Sequence, residues 1–236
     1  MKPLNRALLI GALVALSSDP SEGFGQWNKK PYTEWSEKES MKLLNDSPWA
    51  QTQTVTDTSN MTGQGRADSS QSRVAEVFNV NIRIRFLSAK PVRQAISHVM
   101  EMNNREKISA ELAARLKAFA AADFPDYIVV TVSADSDKSS RLLQQTQQVF
   151  YKLTTGELKN NTYLLASGRR VFINEYQPPG SDGLGARYIF PRLVDGKAFI
   201  TPESGEVLFH SEPIGAVVLN TRYKVKDMMF EGKLEY

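Results

Sequence analysis

The residues best placed to do chemistry are the two aspartates of Ala134-Asp135-Ser136-Asp137-Lys138-Ser139-Ser140. They follow the apolar, β-branched run from Tyr127 to Ala134 and precede a helical pattern, so they fall at the carboxyl end of a strand. Carboxylate oxygens presented there on a short loop suit a divalent cation such as Mg or Ca, or phosphoryl chemistry. The competing reading of the same residues is structural, because Asp and Ser favour turns and cap the helix that follows. The structural reading is preferred, and Asp135 and Asp137 stand as the alternative catalytic and metal site.

The rest of the inventory excludes more than it offers. There are two histidines, His98 and His210. His98 lies in a helical pattern beside Val99 and Met100 and is expected on the helix surface or partly packed, and His210 closes a strand. No Gly-x-Ser-x-Gly elbow occurs, and Glu203-Ser204-Gly205 and Ala166-Ser167-Gly168 read as turns. The glycine-rich stretch from Gly180 to Arg187 follows Pro178-Pro179 and opens a strand rather than a helix. It therefore reads as a flexible loop and not as a phosphate cradle. The absence of cysteine excludes disulfides, thiolate metal sites and a lipid-anchoring Cys.

The segment Asp135 to Ser139 resembles the first motif of haloacid-dehalogenase-like phosphatases, which implies Asp135 as nucleophile and Asp137 as general acid. The later lysine and paired-aspartate motifs of that family do not follow. The segment is also similar to the metal-binding loop of von Willebrand A-type domains, which carry serine where this chain has Asp137. Elsewhere SPWA (Ser47 to Ala50), IRFLSAKPVRQA (Ile84 to Ala95) and KDMMFEGKLEY (Lys226 to Tyr236) resemble uncharacterised exported proteins of soil bacteria. That resemblance implies export and a bacterial origin, and it transfers neither an activity nor a site residue.

The chain opens with Lys2 and Arg6, an apolar run ALLIGALVAL from Ala7 to Leu16, and then small polar residues. This is the pattern of a secretory signal peptide over residues 1–25, with cleavage after Ser17 or Gly25. The apolar run extends only about 15 Å as a helix, half of a hydrocarbon core, so no transmembrane span is expected in the mature chain. The expected location is periplasmic or extracellular, and export without disulfides leans to a bacterium. Basic and acidic residues number 29 and 26, for a net charge of +3. They are interspersed along the chain, which argues for a solvated surface and against nucleic acid as a partner.

Residues 26–72 read as an N-terminal helix, a short strand and a flexible loop, and residues 73–236 as an α+β globular domain. Ser36 and Glu39 have capping-box spacing, which predicts a helix from Glu37 to Asn45. So short a helix needs Trp35 and Trp49 docked on the body, making the segment a packed brace rather than a partner-binding arm. A strand is predicted from Gln51 to Thr56 and a mobile loop from Asp57 to Ser72. Phe78, Val80, Ile82, Ile84 and Phe86 alternate with polar residues, which predicts a strand whose second face, with Arg83 and Arg85, is solvated.

Helices follow from Pro91 to Asn103 and from the cap Ser109 onward, and then the strand from Tyr127 to Ala134. A third core helix after Ser139 is expected to end at Thr155-Gly156. Beyond it only strands are predicted, at Thr162 to Ala166, Val171 to Tyr176, Ala186 to Phe190, Lys197 to Ile200, Glu206 to His210, Ala216 to Asn220 and Arg222 to Met229. Asp195-Gly196 marks a tight hairpin. The fold class is α+β, with about three core helices on a mostly antiparallel sheet and a C-terminal β meander. The function expected from this pattern is that of an exported, non-enzymatic protein, without cofactor, that binds an envelope or secreted protein partner. The alternative is a metal-assisted, phosphatase-like hydrolase using the Asp135/Asp137 loop.

Overall fold

The computed structural model describes residues 25–57, 78–104, 108–138, 140–213 and 217–236. The expected signal peptide, apart from Gly25, and the expected mobile loop, apart from Asp57, lie outside them. The first half runs α1 (Glu37–Asn45), β1 (Ala50–Asp57), β2 (Phe78–Phe86), α2 (Lys90–Asn103), α3 (Ala110–Ala121), β3 (Tyr127–Asp135) and α4 (Arg141–Lys152). The second half runs α5 (Thr155–Leu158), β4 (Thr162–Ala166), β5 (Arg169–Phe172), β6 (Glu175–Gln177), β7 (Ala186–Pro191), β8 (Leu193–Val194) and β9 (Lys197–Ala198). It closes with β10 (Glu206–Ser211), β11 (Leu219–Lys224), β12 (Met229–Phe230) and β13 (Lys233–Leu234). The class is α+β, and every strand pair is antiparallel. No helix among the described residues is long and apolar enough to cross a membrane.

Local chemistry sets most element boundaries. The capping box forms as its spacing requires: Glu39 N–H donates to Ser36 Oγ, and Ser36 N–H donates to the Glu39 carboxylate at 2.7 Å. Ser109 and Ser140 cap α3 and α4 through the amides of Leu112 and Leu143, both at 3.1 Å. At α2, which lacks a side-chain N-cap, the carboxylate of Glu235 accepts from Lys90 N–H at 2.8 Å, a negative charge at the positive helix end.

Two sheets face each other. The first has the order β1-β2-β3-β7-β6 and the second β11-β10-β4-β5. Val80, Ile82, Ile84 and Phe86 of β2 are fully buried, as their alternation requires. Rings interlock across the interface: Phe86 on Tyr223 (4.9 Å), and Tyr188 (5.4 Å) and Phe190 (6.2 Å) on Phe209. Gln51 and Gln53 of edge strand β1 donate to the carbonyls of Arg222, in edge strand β11, and of Val218 just before it, at 2.5 and 2.8 Å. One exposed edge of each sheet is thereby tied to the other.

Trp27, Trp35 and Trp49 are 1%, 3% and 1% exposed, so the N-terminal segment is a packed brace. It is locked by residues far along the chain. Trp49 indole N–H donates to Glu235 O (2.9 Å), its ring meets Phe230 edge-on (6.1 Å), and Glu231 N–H donates to Asn28 Oδ1 (3.1 Å).

From α4 onward the chain departs from expectation in four places. Helix α4 stops at Lys152 rather than at Thr155-Gly156, and a second capping box, Thr154 with Glu157, starts the short helix α5 where only strands were expected. The run from Val171 to Tyr176 is two strands in different sheets. Ile173 N–H donates to Thr162 O on the second sheet and Asn174 N–H to Ile189 O on the first, so the chain changes sheets there. The strand after Asp195-Gly196 covers only Lys197–Ala198; the turn itself has the positive φ values, 53° and 72°, of a two-residue hairpin. The final stretch forms one strand, β11, then a 3-10 turn at Val225–Asp227 and a small hairpin of β12 and β13, where two longer strands were expected.

Candidate functional site

Asp135 is the last residue of β3, and its carboxylate is occupied. Arg83 on β2 donates Nε to Oδ2 (2.5 Å) and Nη2 to Oδ1 (3.0 Å), a two-pronged ion pair that engages both oxygens. Asp137 lies beyond, exposed in the bend, while Ser136 Oγ donates to Asn79 O (2.7 Å) and Ser140 caps α4. The loop therefore does the turn-and-cap work that Asp and Ser perform at a strand-to-helix junction. Among the described residues, no group of three or more His, Asp or Glu side chains is gathered as a cation site requires.

Arg83 and Arg85 are half-buried rather than solvated, because α1 lies against β1 and β2. Arg85 Nε donates to Leu44 O (2.6 Å) and Nη2 to Asn45 Oδ1 (3.2 Å), both in the last turn of α1. The negative end of the helix dipole is thus the counter-charge of this guanidinium. Burial and then the neighbouring Arg83 lower its pKa to about 10, which leaves it charged at neutral pH.

Arg93 on α2, which no sequence pattern singled out, follows the same rule. It is buried, donates to the carbonyls of Leu87, Ser88 and the α3 C-cap Ala122, and stacks over the ring of Phe124 at 4.9 Å. Burial likewise lowers its pKa to about 10.

His98 is 5% exposed, more deeply packed than expected, with Nε2–H donating to Trp35 O at 2.6 Å. It holds the brace and also lines a surface pocket of about 460 Å³ with Thr33, Glu101 and Met102. His210 pairs with Glu212 (3.1 Å) and lies beside the Tyr163 ring (4.8 Å), itself covered by Arg170 (4.5 Å).

What the structure brings together is the end of β3 and the glycine-rich stretch, which looked unrelated in the sequence. The ladder between β3 and β7 stops at Val132 opposite Ala186, whereas the ladder to β2 continues to Asp135. Gly185 turns the chain away from β3. Its φ is +87°, and a Cβ there would lie 2.4 Å from Val132 O, so only glycine fits. Within the stretch Asp182 accepts from Leu184 N–H (3.1 Å) and is paired with Arg187, and Gly185 is buried.

A cleft of about 240 Å³ opens between this loop and α4, lined by Ser133, Ala134, Gln147, Phe150, Tyr151 and Gly183 among others. Among the described residues, no lining residue carries a charge. Ala134 O accepts from Gln147 Nε2 (3.2 Å), and Tyr151, 61% exposed, forms the rim.

Compared with protein families, with curated proteins and with solved structures, the chain matches none of them. Sequence reasoning missed Gln147, Phe150 and Tyr151 as site residues. Their only sequence signal is a large aromatic, Tyr151, beside the apolar stripe of an amphipathic helix. Gly185 carried the stronger signal, a glycine immediately before an apolar strand, which marks close backbone approach.

Proposed function

We propose that this chain is an exported protein that acts by binding a protein partner rather than by catalysis, and that the cleft between β3 and α4 is where it binds. One contrast carries the reading. The carboxylate of Asp135, the first residue a hydrolase would need here, is held by two bonds from Arg83, while the uncharged cleft alongside is open. Arg83 takes one lone pair on each Asp135 oxygen, and its positive charge opposes a cation there and makes the carboxylate a weaker nucleophile. A docking surface needs exposed hydrogen-bonding groups next to apolar ones. The signal-peptide pattern at the start of the sequence supports a periplasmic or extracellular place of action.

The test is to express the full chain in a bacterium with a photo-crosslinking amino acid at Tyr151. The expected results are a mature protein that starts after Ser17 or Gly25, and a discrete adduct with one envelope or secreted protein. Cytosolic protein retaining Met1, or a chain that hydrolyses a generic phosphate ester and forms no adduct, overturns the reading.

A further inference from the structure

We infer that the pocket between the N-terminal brace, α2 and α3 is a binding site for a primary ammonium group carried on an apolar chain. It lies apart from the cleft beside β3 and does not depend on that cleft's role. The pocket measures about 460 Å³, within the range of small-ligand sites, and is lined by Thr33, His98, Glu101, Met102, Ile108 and Ala113. Glu101 is half-buried, and among the described residues its carboxylate has neither a hydrogen bond nor an ion pair. It is the one charged group in that lining, so the pocket is complementary to a cation.

His98 points the same way independently. A carbonyl can only accept, so the bond to Trp35 O fixes the imidazole proton on Nε2 and leaves Nδ1 a lone-pair acceptor. His98 is 5% exposed, and Nδ1 is buried without a partner, an arrangement that costs stability until a donor arrives. With Thr33 Oγ and the Glu101 carboxylate, Nδ1 makes three acceptors around one pocket, one for each N–H of an ammonium. The charge of Glu101 reaches the brace: after burial, it is what raises the pKa of Tyr32, whose ring meets that of His98 edge-on at 6.3 Å. Met102, Ile108 and Ala113 supply apolar surface for an alkyl or aryl chain. A metal ion would want more nitrogen or oxygen ligands than one imidazole and one carboxylate. The same ammonium chemistry is offered by a free amine and by a lysine side chain of a partner.

The experiment titrates the purified protein, labelled at methionine methyls and histidine nitrogens, with phenylethylammonium and follows it by NMR. Phenylacetate and phenylethanol serve as the anionic and neutral counterparts. The ammonium should bind saturably and move the resonances of the Met102 methyl and His98 Nδ1, with an affinity at least about tenfold above either counterpart. Glu101→Gln should weaken it by about tenfold and leave the thermal melt unchanged, since that carboxylate makes no bond within the fold. Ala113→Leu, which fills the pocket from α3, should abolish binding. A capped lysine peptide that outcompetes the free amine assigns the site to a partner's lysine, and the opposite order assigns it to a small amine; either outcome sustains the ammonium site. No saturable shift, an unmoved Nδ1, equal affinity for the neutral counterpart, indifference to Glu101→Gln, or Zn²⁺ binding that the amine does not displace overturns the inference.

Discussion

From Val130 to Val132, strand β3 has a neighbour on each side, β2 and β7, and its side chains are buried; from Ser133 to Asp135 it has β2 alone, and its side chains are half-exposed. The sequence changes with it, from the β-branched Val-Thr-Val to the small and polar Ser-Ala-Asp. The environment changes because the chain turns away at Gly185. In the doubly paired stretch each residue is fixed by packing, and polar groups serve only to complete bonds. In the singly paired stretch a side chain, Gln147, meets the Ala134 carbonyl, and the one acid there is neutralised by a neighbour across the ladder. Proximity of an acid to a strand end is therefore a poor guide to chemistry until its partner across the sheet is known.

The strongest way to break this contrast is to force the boundary. Gly185→Val combines a disfavoured φ with a clash against Val132 O, and should lower stability by about 4 kcal/mol, measured by urea unfolding. An unchanged midpoint would mean that the loop does not rest on β3. Next in size is Arg93→Leu, at about 3 kcal/mol, since the carbonyls of Leu87, Ser88 and Ala122 lose their donor where β3 meets the α2 junction.

The open end should respond far less. Asp135→Asn removes an ion pair whose carboxylate side chain is 48% exposed, so it should shift stability by less than about 1 kcal/mol. Thermal melts should also show no Asp135-dependent stabilisation by Mg²⁺ or Ca²⁺; a shift abolished by Asp135→Ala would restore the cation reading.

The smallest effect is a pH control far from β3. Bonds from Ser36, and then from Lys30, hold the Glu39 carboxyl at about 2. A depressed carboxyl stabilises the fold at pH values above its unfolded pKa, and that contribution fades as pH falls through about 4 towards 2. Melts of the Glu39→Gln variant should converge with wild type at low pH and lie slightly below it at neutral pH.

Features set within a few residues were legible in the sequence. The box of Ser36 and Glu39, the caps Ser109 and Ser140, and the alternation of β2 each fix an element without help from the rest of the chain. Thr154 and Glu157 carry the same capping signal, but Gly156 between them reads as a helix terminator. At the sheet change the burial alternation slips by one residue, from Val171 and Ile173 to Tyr176 with Asn174 and Glu175 both exposed, and so short a slip within an apolar run reads as one strand. The half-burial of Arg85 depends on where α1 comes to rest, and the cleft on where β7 stops. Both are set by tertiary packing, and neither leaves a mark on local spacing.

The N-terminal brace has a consequence for the order of events in synthesis. Asn28 and Trp49 wait for partners that lie 203 and 186 residues further on, at Glu231 and Glu235. A nascent chain cannot close this clasp before residue 235 has left the ribosome, and contacts spanning such distances form late. For a protein exported as we propose, such lateness is useful: the polypeptide stays threadable through a membrane pore for as long as its last strands are still missing.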